Sequence, residues 1–218
     1  MKKTLIIFIF IFFTSCNYQK QKNIEKSEVA VEKFDFELYK KSNFGSEKVM
    51  AKNGNLLSNF GFDDSIGGFQ IETPLKPNFY TFYKEFYTNG NIKKVNKLFG
   101  GMVKIDTSEH YDEKGSLIKT EDENKKFGKI KPNDILLFLQ KEGYINVKTG
   151  EGRENKDGSP KFETSFDNNI WHITIKQGRG ITLADLAGSK SIGEPSEWFP
   201  FSYEIDGDTG KVLKTNKK

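Results

Sequence analysis

Cysteine is almost absent from this 218-residue chain: Cys16 is the only one, so no disulfide can form within a monomer. Histidine is nearly as scarce, with His110 and His172 alone, and no serine stands in the Gly-x-Ser-x-Gly setting of a nucleophile elbow. Acidic residues are plentiful, yet no pair of them stands in a recognisable catalytic setting. The inventory therefore argues against an enzyme. Arginine is limited to Arg153 and Arg179, and the formal net charge of +4 falls to +2 once Lys2 and Lys3 are set aside. Nucleic-acid grooves favour guanidinium forks and a clear basic excess, so a nucleic-acid partner is not expected. Asp206-x-Asp208-x-Gly210 has the spacing of part of a calcium loop, but only Lys, Val and Leu follow where a bidentate acid is needed. A turn held by aspartate side chains is the expected reading, with no metal and no cofactor.

What is present at the start is a pair of lysines, an apolar run from Leu5 to Phe13, and then Thr14-Ser15-Cys16. At about 1.5 Å of helix rise per residue that run is too short to cross a bilayer core of about 30 Å, which makes it a signal peptide. Phe13-Thr14-Ser15-Cys16 resembles a bacterial lipobox, with Phe13 where Leu is usual. The resemblance implies that Cys16 becomes the acylated first residue of the mature protein, and several acyl chains give a stable anchor. An ordinary secreted protein with a cysteine near its cleavage point is the alternative. By the sorting rules of such lipoproteins, Asn17 in place of Asp implies release to the outer membrane. The lack of an acidic tract beyond it implies the periplasmic face. Residues 1–15 thus form the signal peptide, and 16–33 a polar tether whose extended reach is on the order of 55 Å.

About 200 residues remain, enough for one generous domain or two small ones. Phenylalanine and tyrosine are abundant, and aromatic residues fit a pleated, half-buried surface. Residues 34–127 read as a hairpin-rich β region. Asn89-Gly90 is a strong hairpin signal, expected as a type I′ turn, and the phrase from His110 through Gly115 to Lys119 repeats its pattern with the turn glycines 25 residues apart. Both phrases resemble the MORN-like repeats of antitoxin-type proteins, which implies a ladder of hairpins used for binding. Two unrelated hairpins in one sheet are the other reading, and residues 79–120 are strands in either case.

Residues 128–218 read as an α+β segment. A helix is expected over 133–142, capped by Asn133 or Asp134 and ended by Gly143, with Ile135, Phe138 and Leu139 on its packed face and Leu136 a further candidate for it. Tyr144 to Val147 reads as the start of a strand. In Ile170 to Lys176 the residues Trp171, Ile173 and Ile175 alternate strictly with His172, Thr174 and Lys176. The closing hairpin carries Tyr203, Ile205, Asp206, Thr209, Gly210, Lys211, Val212 and Leu213, and with the helix and the Trp-containing strand it resembles a PepSY-type domain over roughly residues 130–215. That family implies an extracytoplasmic, non-catalytic regulator of partner proteins. A long insertion, Gln177 to Pro200, departs from its pattern and reads as an exposed loop. Arg179, Trp198, Phe199 and Phe201, within it and at its end, are candidates for partner contact, since aromatics and arginine are enriched at interface hot spots. The competing reading tucks Trp198 and Phe201 into the core.

The expected fold is therefore α+β: antiparallel sheet with one clear helix on the C-terminal sheet. The expected function is a membrane-anchored envelope lipoprotein that binds another envelope or secreted protein, as an inhibitor or immunity factor does. A small-ligand carrier or envelope maintenance protein is the alternative, and an enclosed apolar pocket would favour it.

Overall fold

A computed structural model describes residues 31–155, 159–180 and 198–217, which belong to one compact unit. The expected signal peptide and Cys16 lie outside the described residues. No helix among those described is long and apolar enough to cross a membrane.

Seven antiparallel strands follow one another in simple up-and-down order: β1 (Val49–Met50), β2 (Leu56–Asp63), β3 (Gly67–Thr73), β4 (Tyr80–Phe86), β5 (Ile92–Phe99), β6 (Val103–Tyr111) and β7 (Leu117–Asp122). A short helix, α1 (Phe36–Lys41), precedes them; Asp35 caps it by accepting from the Leu38 N–H at 2.9 Å. Its six residues are too few to show a hydrophobic period.

The turns of this sheet repay comparison. Tyr87 N–H donates to Asn91 O and Gly90 N–H to Tyr87 O, both at 2.9 Å; Asp112–Ser116 and Gly115–Asp112 repeat both bonds at 2.9 Å. Gly90 and Gly115 sit at φ 79° and 82°. Only the glycine of Asn89-Gly90 is left-handed, so the turn is of type I closed by a left-handed glycine, not the expected type I′. The chain just before α1 lies across these turns. Phe34 N–H donates to Gly90 O at 2.8 Å, Ile92 N–H to Glu32 O at 3.0 Å, and Lys33 forms a bridge with Asn91. Glu32 and Lys33, placed in the tether by sequence, are thus already held to the sheet.

The second sheet has four antiparallel strands in the order β11-β10-β9-β8: β8 (Phe162–Asp167), β9 (Ile170–Gly180), β10 (Trp198–Asp206) and β11 (Val212–Thr215). Register places Ile175 opposite Phe162 and Phe201, Ile173 opposite Thr164 and Tyr203, and Trp171 opposite Phe166 and Ile205, all on one face. Trp171, Ile173 and Ile175 are fully buried there, as their alternation requires. The helix α2 (Pro132–Lys141) covers this face with Ile135 and Leu139. Its start is fixed by Asp134, whose carboxylate accepts from the Lys131 N–H at 2.8 Å. Its end is a Schellman motif: Tyr144 N–H reaches Leu139 O, Gly143 N–H reaches Gln140 O, and Gly143 is left-handed.

One core joins the two sheets. Phe99, Val103 and Ile105 of the first, with Phe79 just before β4, share it with α2 and with Phe162, Trp171 and Tyr203 of the second. Phe127 stacks on Trp171 with ring centres 5.0 Å apart, and Trp171 Nε1 donates to Ile130 O at 3.1 Å. Thr164 stitches the sheets directly, giving its hydroxyl to Phe99 O and its N–H to Gly100 O. A second, aromatic cluster of Phe34, Leu57, Phe60, Phe86 and Ile92 fills the other end of the same face of the first sheet. Each such buried side chain contributes roughly 1.5–3 kcal/mol.

Two expectations are corrected here. Tyr144 to Val147 is not a strand, because Asn146 Oδ1 accepts the N–H groups of Lys148 and Thr149 and closes a turn. The stretch Gln177 to Pro200 is not a loop throughout. Gln177 to Gly180 finish β9 and Trp198 to Pro200 open β10, with Phe199 opposite Arg179 and Trp198 opposite Gly180. Aromatic residues favour this extension of the ladder, and Pro200, which lacks an N–H, falls at the register shift between Phe199 and Phe201.

Candidate functional site: the outer face of the seven-stranded sheet

Alternation along each strand of the first sheet sends one set of side chains to the two hydrophobic clusters and the other to the opposite, outer face. Register aligns Ser58, Ile71, Tyr83 and Asn96 in one row across that face, and Phe69, Glu85, Lys94 and His110 in the next. None of Phe69, Ile71, Tyr83 or Leu98 belongs to either cluster. Phe69 is 43% exposed and the other three are half-buried, so the face carries apolar and aromatic area that the described core does not use.

Polar groups surround and interrupt this area. Glu85 lies 3.9 Å from Lys93, Lys104 lies 3.8 Å from Glu123, and Lys119 is paired with Glu121. The contact with Lys119 holds the Glu121 carboxyl below its ordinary range. Burial, and then the neighbouring Glu85 charge, raise the Tyr83 phenol above its ordinary value. Ser108 is fully buried and donates to Glu123 Oε1 at 2.6 Å.

Asn96 stands apart. It is 3% exposed at the centre of the face, and its Oδ1 is buried without a hydrogen-bond partner. An uncompensated buried acceptor costs about 1–3 kcal/mol. His110 Nε2, on the next strand, is also buried and unbonded; Glu121 Oε2 lies 3.4 Å away without hydrogen-bond alignment. Asn96 Oδ1 is thus a buried acceptor without a partner among the described residues, on a face that also carries the exposed ring of Phe69.

The inner face holds a contrasting cluster. Lys84 Nζ lies 2.6 Å from Glu72 Oε2 and 2.6 Å from Glu32 Oε1, and Glu72 also accepts from the amides of Asn53 and Asn55. Every group there is satisfied. Burial pushes the Glu72 carboxyl up, but Lys84 and the two amides outweigh it and hold it below its ordinary 4.5. Beyond this cluster, a cleft of about 370 Å³ opens between the inner face and the start of α2, with Phe79, Phe99 and Ile105 at its floor and Lys97, Asp106 and Lys131 around its mouth. It is an open, mixed cleft and not the enclosed apolar pocket that a carrier implies.

Of the residues singled out by sequence, Cys16 lies outside the described residues. Arg179, Trp198 and Phe199 take their places in the β9–β10 ladder, and Phe201 is half-buried against the main core with its ring centre 6.4 Å from that of Tyr144. For Phe201 the core reading therefore holds. His172 is on the solvent side of β9, its Nε2 2.9 Å from Asp167 Oδ1. The carboxylate of Asp206 accepts from the N–H of Asp208 and from both the N–H and hydroxyl of Thr209, as in an aspartate-held turn. Among the described residues no three His, Cys, Asp or Glu side chains gather as a metal set. The outer face was missed because Tyr80-Phe82-Lys84 and Thr81-Tyr83-Glu85 both mix aromatic and charged residues. No family model, curated protein or solved structure matches this chain.

Proposed function

We propose that this protein is an envelope lipoprotein, anchored through acylated Cys16 at the outer membrane and facing the periplasm, whose folded unit binds another protein without catalysing a reaction. An inhibitor or an immunity factor acts in this way. The carrying observation is the outer face, where Phe69, Ile71, Tyr83 and Leu98 belong to no core cluster and surround an unsatisfied, buried Asn96. An apolar and aromatic centre with a charged rim has the anatomy of a protein interface. The MORN-like phrases and the PepSY-like order of helix and strands support the same reading, since both resemblances belong to binding proteins.

Two experiments test it. Metabolic labelling with a palmitate analogue is expected to mark the protein and to fail in Cys16→Ser; an unlabelled, soluble product defeats the anchoring. For the binding surface, a photo-crosslinking amino acid at position 83 in intact cells is expected to give one discrete protein adduct. The same group at Leu213, exposed on the edge strand of the other sheet, is expected to give none. Absence of an adduct at 83, or equal adducts at both positions, defeats the surface assignment.

A further inference from the structure

We propose that the cleft at the start of α2 is a separate binding site for a small anionic amphiphile, a carboxylate on a short apolar chain. This does not rest on the protein-binding reading. The volume, about 370 Å³, falls in the range of small-molecule sites. The floor is apolar: Phe79, Phe99 and Ile105 are at least nine-tenths buried within the main core, yet their remaining surface lines the cleft, and Leu136 of α2 forms one wall. An alkyl chain laid there removes apolar surface from water on both sides.

The charges at the mouth select the other end of the ligand. Lys97 Nζ is 2.6 Å from Asp106 Oδ2 and 3.8 Å above the centre of the Tyr80 ring, so its charge and that of Asp106 are spent on each other. Lys131 differs. Its Nζ donates to two backbone carbonyls, Phe127 O at 3.1 Å and Asn124 O at 3.4 Å, and meets no carboxylate within ion-pair distance among the described residues. The mouth is therefore left with one unbalanced positive charge, beside the neutral amides of Asn124 and Asn133. An anionic head completes it; a cationic head is repelled.

The backbone is shaped to hold the mouth open. The β5–β6 register shifts between Val95 and Lys97, and Asp106 takes a left-handed φ of 57°. Asn124 fixes that conformation by accepting from the Asp106 N–H at 3.1 Å and donating to its Oδ1 at 3.3 Å. Bulges of this kind re-aim side chains beside binding sites. Here the bulge removes the Asp106 carboxylate from competition for Lys131 by giving it to Lys97.

The test uses the full chain in lipid nanodiscs with decanoate carrying a diazirine on its chain, followed by mass-spectrometric mapping of the label. Label is expected on residues of the cleft, to be competed by plain decanoate, and to fall at least about tenfold in Lys131→Glu, where an attraction becomes a repulsion. The diazirine-bearing decanol, which lacks the charge, is expected to label the cleft about tenfold less in the unaltered protein, which keeps the result readable if the variant does not fold. Tyr83→Ala, on the outer face, is expected to leave the labelling unchanged. The proposal is overturned if label maps elsewhere, if the alcohol labels as well as the acid, or if a folded Lys131→Glu labels like the parent.

Discussion

The hydroxyl of Tyr87 donates a 2.7 Å hydrogen bond to the carbonyl of Tyr111, from the start of one hairpin turn to the end of the strand before the next. Asn89 and Asn91 of the same turn both donate to Glu113 O, at 2.9 and 2.8 Å. The first of these two hairpins thus reads the backbone of the second. In the next turn the pattern stops: Asp112 Oδ1 accepts the N–H groups of Lys114 and Ser116, and the side chains turn back on their own loop. Tyr87→Phe keeps the ring and removes the bond, so chemical denaturation should show a loss of about 1 kcal/mol with an unchanged slope against denaturant. An unchanged midpoint means that the hairpins are not coupled through this contact.

Gly115 answers to a different constraint. At φ 82° it adopts a conformation that costs other residues roughly 1–2 kcal/mol, and an added Cβ would lie 2.2 Å from Val31 Cγ1. Gly101 has a similar φ of 85° with nothing within 4 Å of its Cβ position. Gly115→Ala should therefore destabilise more than Gly101→Ala, and combining it with Val31→Ala should recover part of the difference. Equal costs in a double-mutant cycle would show that the N-terminal arm does not rest on the turn.

Much of the fold was legible where one face is fully buried. Ile170 to Lys176 could be read from alternation alone, because Trp171, Ile173 and Ile175 leave no ambiguity, and α2 from its apolar spacing and Gly143. The rest was hidden for physical reasons. The helix of Phe36–Lys41 is too short to show a period, and the turn after Asp63 has no Asn-Gly signal. The Glu72–Lys84 pair is assembled by register between strands, which no local pattern reports. Exposure is what a sequence does not give: Trp198 to Phe201 read as candidate contact residues, yet Phe201 packs against the core.

The Glu72–Lys84–Glu32 cluster gives a pH prediction. Glu72 is 2% exposed and its folded pKa lies below 4.5, so as pH falls the unfolded chain takes up the proton first. The stability it contributes is present above about 4.5 and is lost as pH drops through the lower folded value. Lys84 lies above its ordinary 10.5: burial lowers it, but Glu32 and Glu72 outweigh that, so its contribution holds below 10.5 and is lost at more alkaline pH. Glu72→Gln should cost about 1.5–3 kcal/mol at pH 7, because Lys84 loses one charged partner and keeps Glu32. The gap from the parent should narrow below pH 4.5. Thermal melts at pH 7 and pH 3.5 measure it, and a gap that stays constant removes the assignment.

Asn96 offers the sharpest separation of stability from function. Its Oδ1 is buried and unbonded, on a central strand where a β-branched residue packs well. Replacing it by Val removes the stranded acceptor, so Asn96→Val should raise stability by about 1 kcal/mol. Residues that cost stability in the free protein are retained where a partner completes them. The same variant should therefore weaken the crosslink formed from position 83, because a partner that displaces the side chains over Asn96 would then meet a methyl group instead of an acceptor. A protein that is stabilised yet crosslinks as before would show that Asn96 is not part of the interface. A protein that is destabilised would show that the amide already works inside the fold, and the argument for the outer face would lose its central residue.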